Sequence, residues 1–282
     1  MPGTLYVVAT PIGNLEDVTL RALRVLREVS LIAAEDTRRT ARLLQHYSIS
    51  TRTTSLHEHN ERAKTPSLIE RLLAGDSIAL VSDAGTPVVS DPGTYLVAQA
   101  HAAGIRVEPV PGPSAVLAAL SGSGLSEREF VFAGFPPNRS KARQSWLVTL
   151  AAENRVLIFY EAPHRIRRTL ADMLQAFGDR RMALGRELTK VHEELVVRPI
   201  SEHLSREFEE RGEFTLVVEG HPSQPAVPED APDWSTIGAE FGLLTNSKGL
   251  GRREAIRCLA LRYGISTRQV FGLLEEAKVS TE

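Results

Sequence analysis

Three loops rich in glycine and proline stand out in the sequence, because each directly follows an apolar run typical of a buried strand. They are residues 10–14 (TPIGN), 82–87 (SDAGTP) with its continuation 91–93 (DPG), and 110–115 (VPGPSA). Ligands of open parallel sheets bind just beyond the carboxyl ends of the strands. Asp83 supplies a hydrogen-bond acceptor there, and Ser114 stands at a predicted helix start, where free N–H groups gather. Any one loop alone is better explained by an ordinary turn, but the three together predict one binding site.

A second group of residues has the types needed to move a proton. In the stretch 186–193 (RELTKVHE), Lys190 is a candidate to deprotonate or orient a hydroxyl group, with Glu187 positioning it. The alternative is that these residues form surface ion pairs, which are common and weak. The sequence supports both interpretations equally.

Two more groups of polar residues follow predicted strands. Glu35, Asp36 and Arg38 are further candidates for catalysis, although Asp36 is explained equally by a helix cap. His164 and Arg165 are candidates to contact a phosphate. The histidines are not spaced as a metal site, so the sequence predicts no metal.

The elements that must position these residues alternate along the first 120 residues. Apolar runs predict strands at 5–9, 31–34, 77–82 and 106–110, and helical spacing predicts helices from 17 onward and at 37–46, 60–74 and 94–103. This alternation predicts a parallel α/β sheet in a domain spanning 1–120.

A second α/β domain, with more antiparallel character, is predicted over 121–221. Its predicted strands are 130–132, 156–160, 183–185 and 214–218, and its predicted helices are 141–152, 166–177 and 201–210. Four prolines then predict a linker over 222–233, because proline density of this kind forbids a helix.

The tail, 234–282, is predicted to be a small helical unit. Two helices, 251–262 and 267–277, flank a turn at 264–266, and Ser266 with Gln269 forms a capping box. This is a helix-turn-helix pattern. From 248 to 282 it carries seven Lys or Arg and four Asp or Glu, a local charge of +3. The charge is compatible with nucleic-acid binding through Arg252, Arg253 and Arg268, and the alternative is a hairpin that packs only on its own protein.

Composition limits the remaining possibilities. The 282 residues include 33 Lys or Arg and 35 Asp or Glu, so a nucleic-acid partner must meet local patches rather than a basic coat. The single cysteine, Cys258, sits among apolar residues and is predicted to lie in the core of a cytosolic protein. No apolar run reaches membrane-spanning length. The glycine fingerprints of dinucleotide and P-loop sites are absent.

One basic stretch lies in the second predicted domain. Residues 134–146 contain no acid, and Phe135 and Trp146 flank the stretch and are candidates to stack on bases. Its cations are Arg139, Lys141 and Arg143. The alternative is a solvated loop that leads into a helix.

Seven motifs, in order over about residues 4 to 220, carry a resemblance to a known family. They are TPIGNLEDVTLRAL, AAEDTR, VSDAGTPVVSDPG, VPGPSA, FAGFPP, FYEAPHR and GRELTKVHEE. The chain resembles the ribosomal RNA small-subunit methyltransferase I family of the tetrapyrrole-methylase superfamily. The resemblance implies a two-domain α/β fold with S-adenosylmethionine in the cleft between domains. It also implies a homodimer that methylates a cytidine 2′-hydroxyl in 16S ribosomal RNA or the 30S subunit.

The resemblance also implies which residues hold the cofactor. Matched from the three loops are Pro11, Ile12, Asp83, Thr86, Ser114 and Ala115, and matched from the second domain are Tyr160, Leu188 and Thr215. RNA contacts are then expected from the two basic regions and Arg165. Two rival functions remain, which are methylation of a tetrapyrrole and a non-catalytic role as an RNA-binding assembly factor.

Overall fold

A computed structural model of the chain describes residues 1–125, 129–222, 234–247, 249–263 and 267–279. Met1–His221 form one unit and Pro222–Glu282 a second. The predicted linker beyond Pro222 and the predicted turn at 264–266, with its capping box, lie outside the described residues. No helix in the described ranges is both long and apolar enough to cross a membrane.

The first sheet has five parallel strands. They are β1 (Thr4–Val8), β2 (Leu31–Ala34), β3 (Thr53–Ser55), β4 (Ile78–Val81) and β5 (Arg106–Val110), in the spatial order β3-β2-β4-β1-β5. Every residue of β2 and β4 is buried, as expected for strands with helices on both faces. The predicted parallel α/β sheet is therefore confirmed. Only β3 was missed, because its sequence TTS is short and has no apolar residue.

Five helices accompany this sheet. They are α1 (Leu20–Glu28), α2 (Thr37–His46), α3 (Glu61–Leu73), α4 (Thr94–Ala102) and α5 (Ala115–Ser123). Helices α2, α3 and α4 lie close to their predicted bounds. Helix α1 begins three residues after the predicted start at 17, and of α5 only the start at Ser114 was predicted. A short 3-10 turn, Leu15–Asp17, precedes α1. Asp36 and Ser114 are the N-caps of α2 and α5, and the side chain of each accepts a backbone N–H.

Strand pairing brings the three loops together. Strand β1 pairs in parallel with β4 on one side and β5 on the other, and Val8 lies opposite Val110 at the carboxyl ends. Just beyond the strands, Thr10 and Gly85 exchange backbone hydrogen bonds of 2.9 and 3.0 Å. The loops after β1, β4 and β5 therefore meet at one edge of the sheet.

The second sheet is mixed. Its strands are β6 (Phe130–Gly134), β7 (Val156–Glu161), β8 (Arg181–Arg186), β9 (Glu194–Pro199) and β10 (Phe214–Val218), in the order β6-β7-β10-β8-β9. Only β6 and β7 pair in parallel, and the other pairs are antiparallel. The helices are α6 (Ser140–Leu150), α7 (Ile166–Phe177) and α8 (Ile200–Ser205).

The predicted helix over 201–210 is wrong beyond Ser205. Arg206 is extended and forms an ion pair with Glu194 of β9. Phe208 then packs against Phe214 in the core of the second sheet. These contacts with residues distant in the chain end the helix early.

The tail unit contains α9 (Trp234–Gly242), a π-helical turn (Leu243–Ser247), α10 (Arg252–Tyr263) and α11 (Thr267–Val279). Its helices bury a core of their own around Ile237, Leu259 and Val270. Helix α9 was not predicted. The predicted core position of Cys258 is wrong, because the buried positions of α10 include Ala255, Ile256 and Leu259, and Cys258 is exposed.

A carboxylate from α3 holds the start of α4. The N-cap of α4 is Gly93, which has no side chain to accept the first N–H groups. Instead, Glu61 Oε1 accepts the N–H groups of Gly93, Tyr95 and Leu96 at 3.1, 2.8 and 3.1 Å. Gly93 has φ 120°, and a Cβ there would lie 2.5 Å from Leu80 Cδ2. The loop before α4 is thus fixed at its last residue.

We expect Glu61→Ala to lower the free energy of unfolding by about 2 kcal/mol, because it leaves several backbone N–H groups without their charged acceptor. Urea denaturation measures the change. Glu58→Ala, which removes an exposed carboxylate from the turn just before α3, is the matched control and is expected to leave stability unchanged. Equal stabilities of the two variants would contradict the capping role.

Candidate functional site

A cavity of about 370 Å³ opens beside the three loops of the first sheet. Eight of the nine residues expected to hold a cofactor line it: Ile12, Asp83, Thr86, Ser114, Ala115, Tyr160, Leu188 and Thr215. The ninth, Pro11, lines a smaller neighbouring cavity of about 130 Å³ instead. Residues far apart in the chain therefore converge on one site.

Hydrogen bonds join the three loops to one another. Thr86 Oγ1 donates to the carbonyl oxygen of Pro113 at 3.4 Å, in addition to the Thr10–Gly85 pair. Gly85 has φ 79°, and a Cβ there would approach Ile12 Cγ2 to 3.3 Å. Glycine is needed at this position, because its backbone conformation disfavours other residues.

Two carboxylates form the wall nearest α2. Glu35 Oε2 accepts the backbone N–H of Asp83 at 3.1 Å, and Asp83 Oδ1 accepts that of Asp36 at 3.0 Å. Asp83 Oδ2 also lies 3.4 Å from the guanidinium of Arg39. Burial raises the pKa of Glu35 above its ordinary value. The wall therefore presents carboxylates held in place by backbone donors.

A third carboxylate, Asp91, faces the same cavity. Burial is the main cause that raises its pKa to about 6, and the carboxylates of Glu35 and Asp83 add to the effect. Burial likewise raises the pKa of Tyr160 to about 12, and the charge of Asp91 contributes. The sequence singled out the loop that carries Asp91 but not the residue, because its surroundings come from other segments.

Lys190 and Glu187 form an ion pair of 2.8 Å, and Lys190 also lies 3.1 Å from Glu213. Burial would lower the pKa of Lys190, but its hydrogen bonds to the two carboxylates outweigh this and raise the pKa. Burial would likewise raise the pKa of Glu187, but the Lys190 ammonium and a backbone N–H hold it below its ordinary value. Lys190 therefore keeps its proton at neutral pH, which suits an orienting role better than that of a base.

The Glu187–Lys190 turn fastens the second sheet to the first loop. The backbone N–H of Asn14 donates to Thr189 Oγ1 at 3.0 Å. A Cβ on Gly13 would lie 2.4 Å from Lys190 Cγ, so the two segments touch closely. The pair therefore has a clear positional function beside the cavity.

Two of the cations expected to contact RNA are engaged within the protein. The side chain of Arg143 is only 4% exposed and lies 2.7 Å from Asp172, so the predicted RNA contact of Arg143 is wrong. Arg165 forms a 2.9 Å ion pair with the buried Glu161 and donates to Asn138 and Pro136. The side chain of Arg165 is 12% exposed, and its contact with a phosphate stays a prediction.

Other members of the predicted RNA surface are exposed. Arg139 and Lys141 are exposed at the start of α6. Phe135 is 53% exposed, lines the cavity and lies 5.4 Å, centroid to centroid, from the Tyr160 ring. Trp146 does not have the predicted stacking position, because it is partly buried against Phe159.

The three tail cations belong to the second unit. Arg252, Arg253 and Arg268 are exposed on α10 and α11, and the Arg252 guanidinium lies 5.6 Å from the centre of the Phe271 ring. They stay candidates for RNA contact.

Comparison with known proteins defines the class. Residues 4–203 match the family Tetrapyrrole (Corrin/Porphyrin) Methylases, so the chain is a tetrapyrrole-methylase-fold protein. The solved methyltransferase CobJ superposes with a TM-score of 0.60 at 20% identity, over 77% of this chain and 94% of that one. Uroporphyrin-III C-methyl transferase from Thermus thermophilus, complexed with S-adenyl homocysteine, superposes with a TM-score of 0.55 at 19% identity over 76% and 97%. These likenesses show the fold.

Closer relatives narrow the assignment. A Pseudomonas aeruginosa protein is 53% identical over 223 residues, covering 77% of this chain and 79% of its own. One from Halalkalibacterium halodurans is 44% identical over 276 residues, covering 97% and 95%. Both are named ribosomal RNA small subunit methyltransferase I. The chain belongs to the ribosomal RNA small subunit methyltransferase I family, which confirms the predicted family and fold class.

The corrected role of Arg143 predicts a structural phenotype. We expect Arg143→Ala to lower the free energy of unfolding by about 3 kcal/mol, because it leaves Asp172 buried without its cation. The amide of Gln144 keeps one hydrogen bond to that carboxylate, at 2.8 Å. Arg139→Ala, on the exposed side, is expected to change stability by less than about 0.5 kcal/mol. Urea unfolding compares the two, and a stable Arg143→Ala protein would refute the assignment.

Proposed function

We propose that the protein transfers a methyl group from S-adenosylmethionine to the 2′-hydroxyl of a cytidine in small-subunit (16S) ribosomal RNA. The observation that carries the proposal is the single cavity that gathers eight of the nine expected cofactor residues. Relatives named for this activity align over as much as 97% of the chain. Neither methylation of a tetrapyrrole nor a purely binding role is favoured, because those relatives are named as rRNA methyltransferases.

The cavity fits the chemical groups of this cofactor. Ile12, Ala115 and Leu188 offer apolar surface for an adenine ring. Glu35 and Asp83 offer carboxylate acceptors for hydroxyl and ammonium groups, and their negative charge suits a cationic sulfonium. When bound, the cofactor supplies an electrophilic methyl group on a sulfur that leaves as a neutral thioether.

The protein's own contribution is mainly positioning. Hydrogen bonds between the loops fix the cavity walls before any ligand enters, so little ordering is left for the moment of reaction. Holding the acceptor oxygen in line with the methyl group turns a bimolecular step into an effectively unimolecular one. Lys190, positioned by its ion pair with Glu187, is proposed to orient the acceptor hydroxyl rather than to deprotonate it.

The RNA is proposed to enter beside Phe135. This exposed ring borders the cavity and is placed to stack on a base. Arg139 and Lys141 lie just beyond it and are proposed to contact phosphates, as are Arg39, which lines the cavity, and the tail cations. A homodimer, implied by the family, and a cytoplasmic location, expected from the single cysteine, belong to the same proposal.

Methyl transfer to RNA tests the proposal directly. We expect the purified protein to move labelled methyl from S-adenosylmethionine to small subunits, or their RNA, from cells that lack the modification. Nucleoside analysis of the product is expected to show 2′-O-methylcytidine. Transfer to a porphyrinoid but not to RNA would overturn the substrate assignment, and failure to bind the cofactor in calorimetry would favour the assembly-factor alternative.

Asp83 tests the cofactor site. We expect Asp83→Ala to weaken S-adenosylmethionine binding roughly 10- to 100-fold, the effect of losing one charge-assisted hydrogen bond. Calorimetry measures the dissociation constant. Glu70→Ala, which removes an exposed carboxylate from α3, is the matched control. Equal affinities of the two variants would remove Asp83 from the binding site.

A further inference from the structure

We propose that Asp91 is the catalytic base that takes the proton from the acceptor hydroxyl during methyl transfer. This inference rests on the proposed function and adds a catalytic residue to it.

Five carboxylates line the cavity: Glu35, Asp83, Asp91, Glu161 and Glu213. Glu161 is only 2% exposed and is held by Arg165, the Thr169 hydroxyl and the backbone N–H of Ala162. Glu213 pairs with Lys190, and its side chain is 67% exposed to water. Neither is suited to accept a proton inside a closed site.

The two carboxylates nearest α2 are also committed. Both oxygens of Asp83 are engaged, because Oδ1 accepts the backbone N–H of Asp36 and Oδ2 lies 3.4 Å from the Arg39 guanidinium. One oxygen of Glu35 is bonded to the backbone of Asp83. In the part of the chain that the structure describes, Asp91 has no ion pair. Its polar neighbour is the Ser82 hydroxyl. That hydroxyl has a single proton to donate, and the Ala84 carbonyl oxygen, 3.3 Å from Ser82 Oγ, competes for it.

Asp91 occupies a fixed and unusual stretch of backbone. Val88 and Ser90 just before it have φ values of 75° and 67°, which non-glycine residues rarely adopt. Two residues after it, Gly93 is held by the Glu61 carboxylate. Strained backbone of this kind persists only where the surrounding structure holds it, and it clusters at functional sites.

The position of Asp91 also suits an acceptor hydroxyl. A Cβ on Gly134 would lie 3.6 Å from Ser90 Oγ, so this loop borders the end of β6, next to Phe135. Asp91 also lies close enough to Tyr160 for its charge to affect the pKa of that phenol. Asp91 therefore shares one cavity with the proposed cofactor residues and with the ring proposed to meet the RNA base.

The proton transfer balances without any other reactant. The hydroxyl oxygen forms the new bond to the methyl carbon as its O–H bond breaks and the proton passes to an Asp91 carboxylate oxygen. The electron pair of the broken S–C bond stays on sulfur, which becomes a neutral thioether. Asp91 then releases the proton to water after the methylated product leaves.

The electrostatic surroundings suit a base that works at neutral pH. Titratable or charged groups around the cavity are Glu35, Arg39, Asp83, Tyr160, Glu161 and Glu213. Burial, helped by Glu35 and Asp83, raises the pKa of Asp91 to about 6. Asp91 is therefore ionised at pH 7.5 and more basic than an ordinary aspartate. The rate constant should rise with pH through about 6 and level off above it.

The test compares Asp91→Asn with the wild type in single-turnover methyl transfer to undermethylated small subunits. We expect Asp91→Asn to lower the rate constant by roughly 10²- to 10⁴-fold, the usual contribution of a general base, and to abolish its rise near pH 6. Cofactor and subunit affinities should stay within about threefold of the wild type. Asp91→Glu should recover part of the rate, and the surface control Glu70→Gln should behave as the wild type.

Thermal unfolding gives a second readout that does not need activity. Because the pKa of Asp91 is raised on folding, ionising it destabilises the folded state, and this loss begins as pH rises past the unfolded value near 4. Asp91→Asn should therefore have a higher Tm than the wild type at pH 7.5, and the difference should vanish towards pH 4.

Three outcomes would overturn the inference. The first is Asp91→Asn activity within threefold of the wild type. The second is an Asp91→Asn pH profile that still rises near pH 6. The third is loss of that rise in a protein that carries Glu35→Gln alone. A wild-type protein that methylates no small-subunit RNA would instead overturn the proposed function itself. The two failures are therefore distinguishable.

Discussion

The site depends first on how β1 pairs. Because β1 lies between β4 and β5 and runs parallel to both, the loops that follow the three strands must leave the sheet at the same edge. The reciprocal hydrogen bonds of Thr10 and Gly85 extend this pairing past the strand ends and into the loops. Ile12, Asp83 and Ser114 are brought together by main-chain geometry, so substituting one of their side chains should leave the others in place.

This part of the molecule could be predicted because its signals are local. Each strand is a short apolar run, and each loop is marked by glycine and proline directly after it, as in 82–87. The caps at Asp36 and Ser114 likewise depend on residues two or three positions away. Strand β3 was not predicted, because three polar residues form it and its place at the sheet edge is set by pairing with β2. Helix α8 ends before its predicted bound because the residues that follow it contact β9 and β10.

The side-chain chemistry of the site was harder to predict, because the decisive partners are distant in the sequence. Arg143 belongs to a basic stretch, yet Asp172 lies on another helix and draws it into the interior. Lys190 and Glu187 are near neighbours, but Lys190 also pairs with Glu213 on a different segment, and both carboxylates contribute to its raised pKa. A single sequence shows the charges but not these pairings.

The stability of the fold does not explain why three carboxylates cluster at the cavity. The charge of Asp83 contributes to the raised pKa of Glu35, and the charges of Glu35 and Asp83 contribute to the raised pKa of Asp91. Arg39 is the cation that faces them among the cavity-lining residues that the structure describes. A folded chain gains nothing from holding partly buried like charges together, since each favours neutralisation of the others. A ligand that carries positive charge reverses this balance, because the same carboxylates then attract it at short range in a medium less polar than water. The arrangement is therefore better explained by what enters the cavity than by the stability of the protein, which is the relation expected between a binding site and the scaffold that carries it.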